Sequence, residues 1–397
     1  MWPFRKHEIS GASKDWFIAF EDLLTANRTE SGVSVTSANC IDHPAVYRCV
    51  DLNAHTIGSF PVDFYIKRDG RRQPYPEPLW YRKPNDYQDF NGLLAEAQAS
   101  QEIYDSAFLL KAVDPSGRIV GLSVLDPGAV EMKYADLGMG KPIVIYNLAT
   151  TKGIVTLAYN EILHIKAGLP IPGALRGVSP VKAARETIGT GMAARKFGAR
   201  YFGAGSHVSG MIEAPGAFSK DTADRLKESM EKKHGGVSKS HALGILFGGA
   251  KWIPVEHDPT KAQGLETQKY TDIQISSLFG IPAEYVTAAM EGAKGYVTGL
   301  YQRQMLWYQT GLFARITRNE RAFSSLLPRP AYMKLNVSSW LRMDPEQRVA
   351  FYQAGQLGEW LTVNDIRNLE DMNPLPGGDV PLHSVQWQEN TPPDPPA

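Results

Sequence analysis

The sequence is poor in cysteine and lacks any long apolar run, and each of these shortages excludes a class of protein. Its two cysteines, Cys40 and Cys49, are too few for a disulfide framework, which favours a reducing compartment. No run approaches the ~18 apolar residues of a membrane-spanning helix. The basic N-terminal residues are not followed by the apolar core of a signal peptide. We therefore expect a protein that is made in a cytoplasm and does not enter a membrane.

Net charge is also absent from the chain as a whole. Lys and Arg together number 42, as do Asp and Glu, so non-specific binding to polyanions through bulk charge is disfavoured. The balance is uneven along the chain. Nine acidic residues and only two basic ones, Arg348 and Arg367, lie between Asp344 and the C-terminus. This acidic segment would repel phosphate groups.

Composition and length are typical of a globular protein with more than one domain. Hydrophobic residues make up 43% and charged residues 21%, which supplies enough apolar material for a buried core. A chain of 397 residues predicts about two or three domains.

No recognisable catalytic motif is present. The sequence has no phosphate-binding G-x-x-x-x-G-K-[ST] loop, no H-E-x-x-H helix and no G-x-S-x-G nucleophile turn. Cys40, His43 and Cys49 could form a three-ligand metal site, but free thiols near a helix start are the favoured interpretation. Glu161 and His164 lie close together on a predicted strand and are interpreted as a structural pair. The sequence predicts no cofactor and no metal, with an active site assembled from distant residues as the alternative.

The first part of the chain predicts an α+β structure. Apolar residues at helical spacing from Val46 to Ile57 indicate a helix, and the strand after it ends in Asp69-Gly70, a typical hairpin turn. A second helix runs into a strand, and short strands separated by turns continue to about residue 166. Helices packed on antiparallel strands are the expected arrangement.

From Ser179 onward the predicted elements are mainly helical. Ser179-Pro180 is typical of a helix start, and this helix is expected to end near Phe202. A small β-α-β-β unit and a second helix follow. A long helix over roughly residues 299–327, a strand and two more helices complete the chain, and the last helix opens on a capping box, Thr362-x-x-Asp365.

A long connection separates the second of these helices from the long one. It reads FGIPAEYVTAAMEGAKGYVTG, residues 279–299, and is rich in Gly and Ala. Loops of this length in compact domains are usually either functional or disordered. The residues alone leave both alternatives open.

Three strings accompany this unusual order of elements. RGVSPVKAA opens the first helix, GLETQKYTDIQISSLFGIPAEYV leads into the long connection, and LTVNDIRNLEDMNPLPGGD lies near the C-terminus. Together they resemble the portal proteins of tailed bacteriophages, in the form found in long-tailed phages and gene-transfer particles. The resemblance covers roughly residues 40–382, and the Phe-Gly-Ile-Pro and Pro-Gly-Gly-Asp strings are its most typical parts.

The resemblance implies an α+β portal fold with an α/β wing, a two-helix stem, a small β-α-β-β clip, a tunnel loop and a helical crown. In this family the clip meets protein partners and the crown faces the capsid interior. The implied segments are a mobile N-terminal arm (1–39), the wing (40–178), a stem helix (179–205), the clip (206–258), a second stem helix (259–279), the tunnel loop (280–298), the long helix and strand of the wing (299–343), and the crown with the C-terminal tail (344–397).

The resemblance also implies a structural protein that is not an enzyme and needs no cofactor. Portal proteins form a homo-dodecameric ring at one capsid vertex, and DNA passes through its channel during packaging and ejection. The implied partners are further copies of the chain, the major capsid protein, the terminase large subunit, the head-to-tail adaptor and double-stranded DNA without sequence specificity, with no membrane. The expected location is the virion, at the portal vertex, after assembly in the host cytoplasm.

The predicted tunnel loop has residues that suit a channel through which DNA slides. Base readout would trap the duplex, because each good bidentate contact is worth about 1–3 kcal/mol, whereas phosphate contact is blind to sequence. The loop offers one acid, one base and a backbone that bends easily. The candidate DNA-contacting residues are Glu291, Gly292, Lys294 and Gly295.

The first predicted stem helix carries a basic stripe and an apolar one. At about 100° per residue, four basic residues fall within an arc of roughly 60°; they are Lys182, Arg185, Lys196 and Arg200. They could face DNA, pair with acids of a neighbouring subunit or form a solvated face. The adjoining apolar stripe is expected to pack on neighbouring stem helices; it consists of Val181, Ile188, Met192 and Ala199. Gly189, Gly191 and Gly198 are expected to permit close approach of helices in a crowded ring, at a cost of up to ~1 kcal/mol each.

In the predicted clip, Lys232, Lys233 and Lys239 are candidates for contact with acidic partner surfaces, with a solvated helix end as the alternative. Two other functions stay open at this point. One is a different head-neck or capsid-associated structural protein, and the other is an α+β enzyme with an unrecognised site. Particle mass and electron micrographs distinguish them, since a portal gives rings with a central hole and an enzyme gives a small oligomer.

Overall fold

A computed structural model describes the chain over residues 29–135, 143–172, 174–203, 210–213, 251–254, 264–286, 300–337, 345–370 and 372–381. The helices are α1 (Pro44–Gly58), α2 (Leu79–Arg82), α3 (Phe90–Tyr104), α4 (Pro180–Ala183), α5 (Arg185–Gly203), α6 (Gly264–Leu278), α7 (Leu300–Trp307), α8 (Phe313–Ser324), α9 (Pro345–Leu357) and α10 (Val363–Leu369). The strands are β1 (Val62–Arg68), β2 (Arg71–Pro74), β3 (Ser106–Val113), β4 (Ile119–Leu125), β5 (Val130–Ala135), β6 (Ile143–Thr150), β7 (Gly153–Leu157), β8 (Ile162–Lys166), β9 (Gly210–Glu213), β10 (Lys251–Pro254) and β11 (Ala331–Leu335).

The chain divides into two compact units. The first unit comprises Met1–Ala293 and Trp307–Leu335, and the second comprises Lys294–Leu306 and Asn336–Ala397. None of the helices that the structure describes is long and apolar enough to cross a bilayer.

Helix α1 buries the apolar face that its sequence predicted. The side chains of this face are almost completely removed from solvent; they are Val46, Val50, Ala54 and Ile57. The face packs on α3. Asp89 caps α3 by accepting a hydrogen bond from the backbone N–H of Gly92 at 2.8 Å, which satisfies one of the free donors at the helix start. The predicted first helix is confirmed.

The predicted hairpin at Asp69-Gly70 is also confirmed. These two residues have φ values of 49° and 75°, the left-handed conformation that a tight two-residue hairpin requires. β2 pairs with one edge of β1 and β11 with the other, both antiparallel. Phe64 on β1 contacts Trp80 edge-on at 5.9 Å between ring centroids, and Trp80 stacks on Phe323 of α8. The aromatic rings thus join this sheet to α8.

Two further three-stranded sheets, ordered β4-β3-β8 and β5-β6-β7, are antiparallel throughout. Residues of both sheets share one core cluster, formed by Phe108, Val130, Tyr146 and Ile162. The predicted α+β class with antiparallel strands is confirmed.

The helix predicted from Ser179 begins and ends where expected, but it contains an irregularity. Ser179 Oγ accepts a hydrogen bond from the N–H of Lys182 at 3.1 Å. Ala184 interrupts the helical conformation between α4 and α5. The backbone bonds continue across it, since Ala184 N–H donates to the carbonyl of Pro180 and Ile188 N–H donates to that of Ala184, both at 2.8 Å.

The long helix predicted over roughly residues 299–327 is confirmed, since residues 300–324 are helical without a break, but it is not α-helical throughout. A π-helical turn, Tyr308–Leu312, separates α7 from α8, and α8 ends at Ser324. A π-helical turn accommodates an extra residue in the helix, which displaces the backbone locally. One face of α8 is buried and includes Ile316, Asn319, Glu320 and Phe323. From Phe313 onward this element is therefore a core helix of its own subunit.

Only the two ends of the predicted β-α-β-β unit lie within the described residues. β9 and β10 pair antiparallel, with Met211 opposite Ile253. The helix of the unit and its remaining strand lie outside the described residues, as do the candidate partner contacts Lys232, Lys233 and Lys239.

In the second unit the predicted capping box is confirmed. Thr362 Oγ1 accepts from the N–H of Asp365 at 3.1 Å, and the N–H of Thr362 donates to Asp365 Oδ2 at 2.9 Å. Asn364 holds the loop that follows α10: its Nδ2 donates to the carbonyl of Leu375 at 3.0 Å and to Asp379 Oδ1 at 2.9 Å. The Pro-Gly-Gly-Asp string ends at Asp379, so it closes this loop onto the start of α10.

Burial of His164 is expected to make stability depend on pH. Burial lowers the pKa of His164 from 6.5 to about 4, so between these values the unfolded chain binds a proton that the folded chain does not. Stability is fully present above about pH 6.5 and falls toward pH 4, by about 3 kcal/mol for this residue. Urea unfolding at pH 7 and pH 4.5 measures the loss, which should be smaller in His164→Gln. An equal loss in the variant would contradict the assignment.

Candidate functional site

The candidate site begins where α6 ends, at the Phe-Gly-Ile-Pro string. Gly280 has φ of 68°, a left-handed conformation in which glycine is favoured. Its N–H donates to the carbonyl of Ser277 at 3.0 Å, and the N–H of Ile281 donates to that of Ser276 at 2.9 Å. This is a Schellman motif, in which Ile281 supplies the usual buried apolar side chain. Pro282 follows and cannot continue the helix, so each residue of the string helps to end α6.

Gly280 also touches the π-helical turn. A Cβ added at Gly311 would collide with the carbonyl oxygen of Gly280, and one added at Gly280 would lie 3.2 Å from the Cα of Gly311. Because both positions are glycine, the backbone at the end of α6 reaches the backbone of the turn directly.

The chain stays attached for several residues beyond this contact. Residues Ala283–Tyr285 form a 3-10 turn, and the ring of Tyr285 lies 5.3 Å from that of Trp307. The predicted tunnel loop, 280–298, therefore starts with a segment, 280–286, that is packed on the first compact unit. The candidate DNA-contacting residues follow it and lie outside the described residues; they are Glu291, Gly292, Lys294 and Gly295.

Two of the four predicted basic residues of the stem helix have acidic partners within the chain. Lys182 Nζ lies 3.8 Å from Asp105 Oδ2. Burial lowers the pKa of Lys182 and raises the pKa of Asp105, so both groups are pushed toward their neutral forms. Arg185 Nε lies 3.7 Å from Glu186 Oε1, and its side chain is only 16% exposed. These two cations contribute little charge to the surface.

Lys196 is exposed on the surface of α5. The helix continues past Arg200, whose side chain is outside the described part of the structure. The structure thus turns Lys182 and Arg185 toward the compact unit and leaves Lys196 exposed. DNA contact by the basic stripe stays a prediction, with Lys196 as its accessible member.

Three residues of the apolar stripe of this helix are buried within the chain, so their predicted contact with neighbouring stem helices is wrong, whereas Ala199 is exposed and its contact stays a prediction. Val181, Ile188 and Met192 are 3%, 0% and 8% exposed. Two glycines of α5 make close contacts within the chain as well. A Cβ added at Gly189 would lie 2.6 Å from the side chain of Thr29, and one added at Gly191 would collide with the ring of His43. Close approach therefore occurs at Gly189 and Gly191, inside the chain, but the described residues do not show it at Gly198.

Two glycines of α5 provide a matched test of this packing. Gly191→Ala should destabilise the fold by about 1–3 kcal/mol, because the new methyl group overpacks the contact with His43. Gly198 has no described atom within 4 Å of an added Cβ, so Gly198→Ala should stabilise the helix by up to ~1 kcal/mol. Urea unfolding of the two variants beside the wild type measures both effects, and shifts of the same sign would refute the assignment.

Three residues of the types found in hydrolytic triads lie together in the first unit, namely Asp105, Ser106 and His164. The hydrogen bonds between them are structural. Ser106 Oγ donates to Asp105 Oδ1 at 2.7 Å and lies 3.2 Å from His164 Nε2. Asp105 and Ser106 are fully buried, so the hydroxyl proton points at the carboxylate and not at a substrate. The predicted pairing of His164 with Glu161 is wrong, since the Glu161 carboxylate accepts from the N–H of Ala158 at 2.7 Å.

The three candidate metal ligands, Cys40, His43 and Cys49, are buried in neutral form. Burial raises the pKa of Cys40 to about 11 and of Cys49 to about 12, and metal binding needs the thiolate. Although His43 Nε2 lies 4.0 Å from Asp272 Oδ1, burial lowers the pKa of His43 to about 4. The imidazole is thus uncharged at neutral pH. Within the described residues no three histidine, cysteine or acidic side chains gather as a metal site.

Sequence patterns do not single out three polar residues that surround the end of α6. Asn53 on α1 and Arg315 on α8 donate to the carbonyl of Phe279, and Glu102 on α3 accepts from Arg315. The available signal was the occurrence of Asn53 and Glu102 within otherwise apolar helix faces. Such residues need partners, but the sequence does not show which.

The fold is similar to that of several solved structures. A chain in the neck of the native gene transfer agent particle, computed with C12 symmetry, matches with a TM-score of 0.58 and 19% identity, over 90% of this chain and 99% of that one. An HK97-family phage portal protein from Corynebacterium diphtheriae matches with a TM-score of 0.55 and 14% identity, over 78% of this chain and 97% of that one. The fold is that of phage portal proteins.

Sequence comparison agrees with the fold. The phage portal protein family matches residues 44–371. The probable portal protein of Streptomyces phage phiC31 is 31% identical over 362 residues, which cover 88% of this chain and 78% of that protein. The chain belongs to the phage portal protein family, and the resemblance inferred from its sequence is confirmed.

Proposed function

We propose that copies of this chain form a homo-dodecameric ring at one vertex of a phage capsid, and that double-stranded DNA passes through the ring during packaging and ejection. The observation that carries the proposal is the family match over residues 44–371. The twelve-fold symmetry of the related neck structure supports the subunit number. A closed ring requires two different complementary surfaces on each subunit.

In the proposed ring, α5 and α6 belong to the stem, β9 and β10 to the clip, and α9 and α10 to the crown. The clip docks the terminase large subunit and later the head-to-tail adaptor, with Lys232, Lys233 and Lys239 as candidate contacts. The major capsid protein surrounds the ring at its vertex, so the site of action is the virion after assembly in the host cytoplasm. The ATP-driven terminase supplies the force that moves the DNA. The chain itself acts as a conduit and needs no cofactor.

Contact with DNA is proposed for the tunnel loop, through Glu291, Gly292, Lys294 and Gly295, and for Lys196 and Arg200 on the stem. Lysine and arginine contacts to phosphate position a duplex without reading its sequence. A small number of such contacts in each subunit keeps the duplex centred, and the acidic residues limit its adhesion. Sequence-indifferent contact is what a sliding duplex needs.

The ring itself can be tested on the purified chain. Because each subunit has a mass of 43.8 kDa, a closed dodecamer should have a mass of about 530 kDa. Light scattering or native mass spectrometry measures the mass, and negative-stain micrographs should show rings with a central hole. A monomer or small oligomer under all assembly conditions would refute the proposal.

The tunnel loop can be tested by deleting residues 287–296, which leaves the packed segment through Tyr285 intact. Rings should still assemble, while filled particles should hold less DNA or lose it. A matched control replaces the same ten residues with glycine and serine, which keeps the length and removes the charges of Glu291 and Lys294. Loss of ring assembly in the deletion would mean that the loop is structural, and full DNA retention would exclude it from the channel.

A further inference from the structure

We propose that Arg315 and Glu102 are positioning residues of the tunnel loop, which anchor its first residues through the carbonyl group of Phe279. The inference rests on the proposed function of that loop in a DNA channel. It is carried by hydrogen bonds that all lie within the first compact unit. The anchor determines where the loop leaves the body of the subunit.

The carbonyl oxygen of Phe279 accepts two side-chain hydrogen bonds. Arg315 Nη2 donates to it at 3.0 Å, and Asn53 Nδ2 donates to it at 3.2 Å. Phe279 directly follows the last residue of α6, and the last carbonyls of a helix have no partner within the helix. The positive guanidinium also suits the negative end of the helix dipole. Donors from α1 and α8 thus hold the same atom at the end of α6.

Glu102 fixes the orientation of Arg315. Arg315 Nε donates to Glu102 Oε1 at 2.5 Å, and Nη2 donates to Oε2 at 3.0 Å. Nη1 donates to the carbonyl of Gly311 at 2.7 Å, within the π-helical turn. The side chains of Arg315 and Glu102 are 14% and 3% exposed, so solvent screens this two-point pairing very little. All three guanidinium nitrogens have partners, which leaves one orientation for the group.

Hydrogen bonds among buried amide side chains of α3 and α8 continue the network that begins with Arg315 and Glu102. Gln98 Nε2 donates to Glu102 Oε1 at 2.6 Å, Asn319 Nδ2 donates to Gln98 Oε1 at 2.9 Å, and Gln101 Nε2 donates to Asn319 Oδ1 at 2.9 Å. Apolar residues often stabilise a core as well as a buried ion pair does. What a hydrogen-bonded polar network adds is a single geometry. The network is therefore better suited to hold a position than to increase stability.

The position that it holds is the start of the tunnel loop. Phe279 is fixed by the two donors, Gly280 by its contact with Gly311, and Ile281 by the Schellman motif. A duplex that drags on the loop would pull on the residues after 286. The load would then reach α1, α3 and α8 as well as α6, so the start of the loop would keep its place.

The test uses assembled rings and filled particles that carry Arg315→Lys. Lysine keeps the charge but cannot bond both Glu102 oxygens and the Phe279 carbonyl together. The matched control is Arg321→Lys, which replaces an exposed arginine on the same helix. Hydrogen exchange over residues 279–286 should become faster by about tenfold in Arg315→Lys, and the particles should retain less DNA. Both measurements should stay at wild-type values in the control.

A second variant covers the case in which Arg315→Lys does not assemble. Asn53→Ala removes one donor to Phe279 and no charge, and it should change exchange and retention in the same direction, by less. Unchanged exchange over 279–286 in assembled rings of either variant would overturn the anchor. Faster exchange with unchanged DNA retention would overturn its role in the channel. Failure of the proposed function would appear separately, as full retention in particles whose loop is deleted.

Discussion

The arrangement around the candidate site depends on one constraint, namely that a buried main-chain carbonyl at the end of a helix must find a donor. The carbonyl of Phe279 finds two, one on α1 and one on α8. The charged guanidinium of Arg315 can be buried beside this carbonyl because the carboxylate of Glu102 balances its charge. The contact between Gly280 and Gly311 lets the backbones approach closely enough. Four helices are thereby joined at the point where the predicted tunnel loop starts.

The strings that are typical of the family have a common physical meaning in this structure, because each lies at an end of a helix. Ser-Pro supplies the cap of α4, Phe-Gly-Ile-Pro ends α6, and Pro-Gly-Gly-Asp closes a loop onto Asn364 at the start of α10. Helix ends determine where chains change direction. The order of such ends along the chain is therefore an informative signature of this fold, even though each string is short.

How well each feature could be predicted depends on how far apart in the sequence its interacting residues lie. The turn at Asp69-Gly70, the cap at Ser179 and the capping box at Thr362 depend on residues a few positions apart, and all three were predicted correctly. The pairing of Arg315 with Glu102 joins residues 213 positions apart, and neither helix carries a pattern that identifies the partner. The apolar stripe of α5 was visible in the sequence, but the surface that covers it was not. The residues of the tunnel loop and clip that were predicted to contact DNA and proteins stay predictions.

The antiparallel pair of β9 and β10 has a consequence for protein engineering. These strands bring the entry and the exit of residues 214–250 side by side, so the backbone on either side of that stretch stays in register whatever its length. The free-energy cost of closing a loop grows only slowly with the number of residues in it. A foreign domain or an affinity tag could therefore replace this stretch while β9 and β10 stay paired. Grafting of this kind would let related chains exchange this stretch while the paired strands are kept.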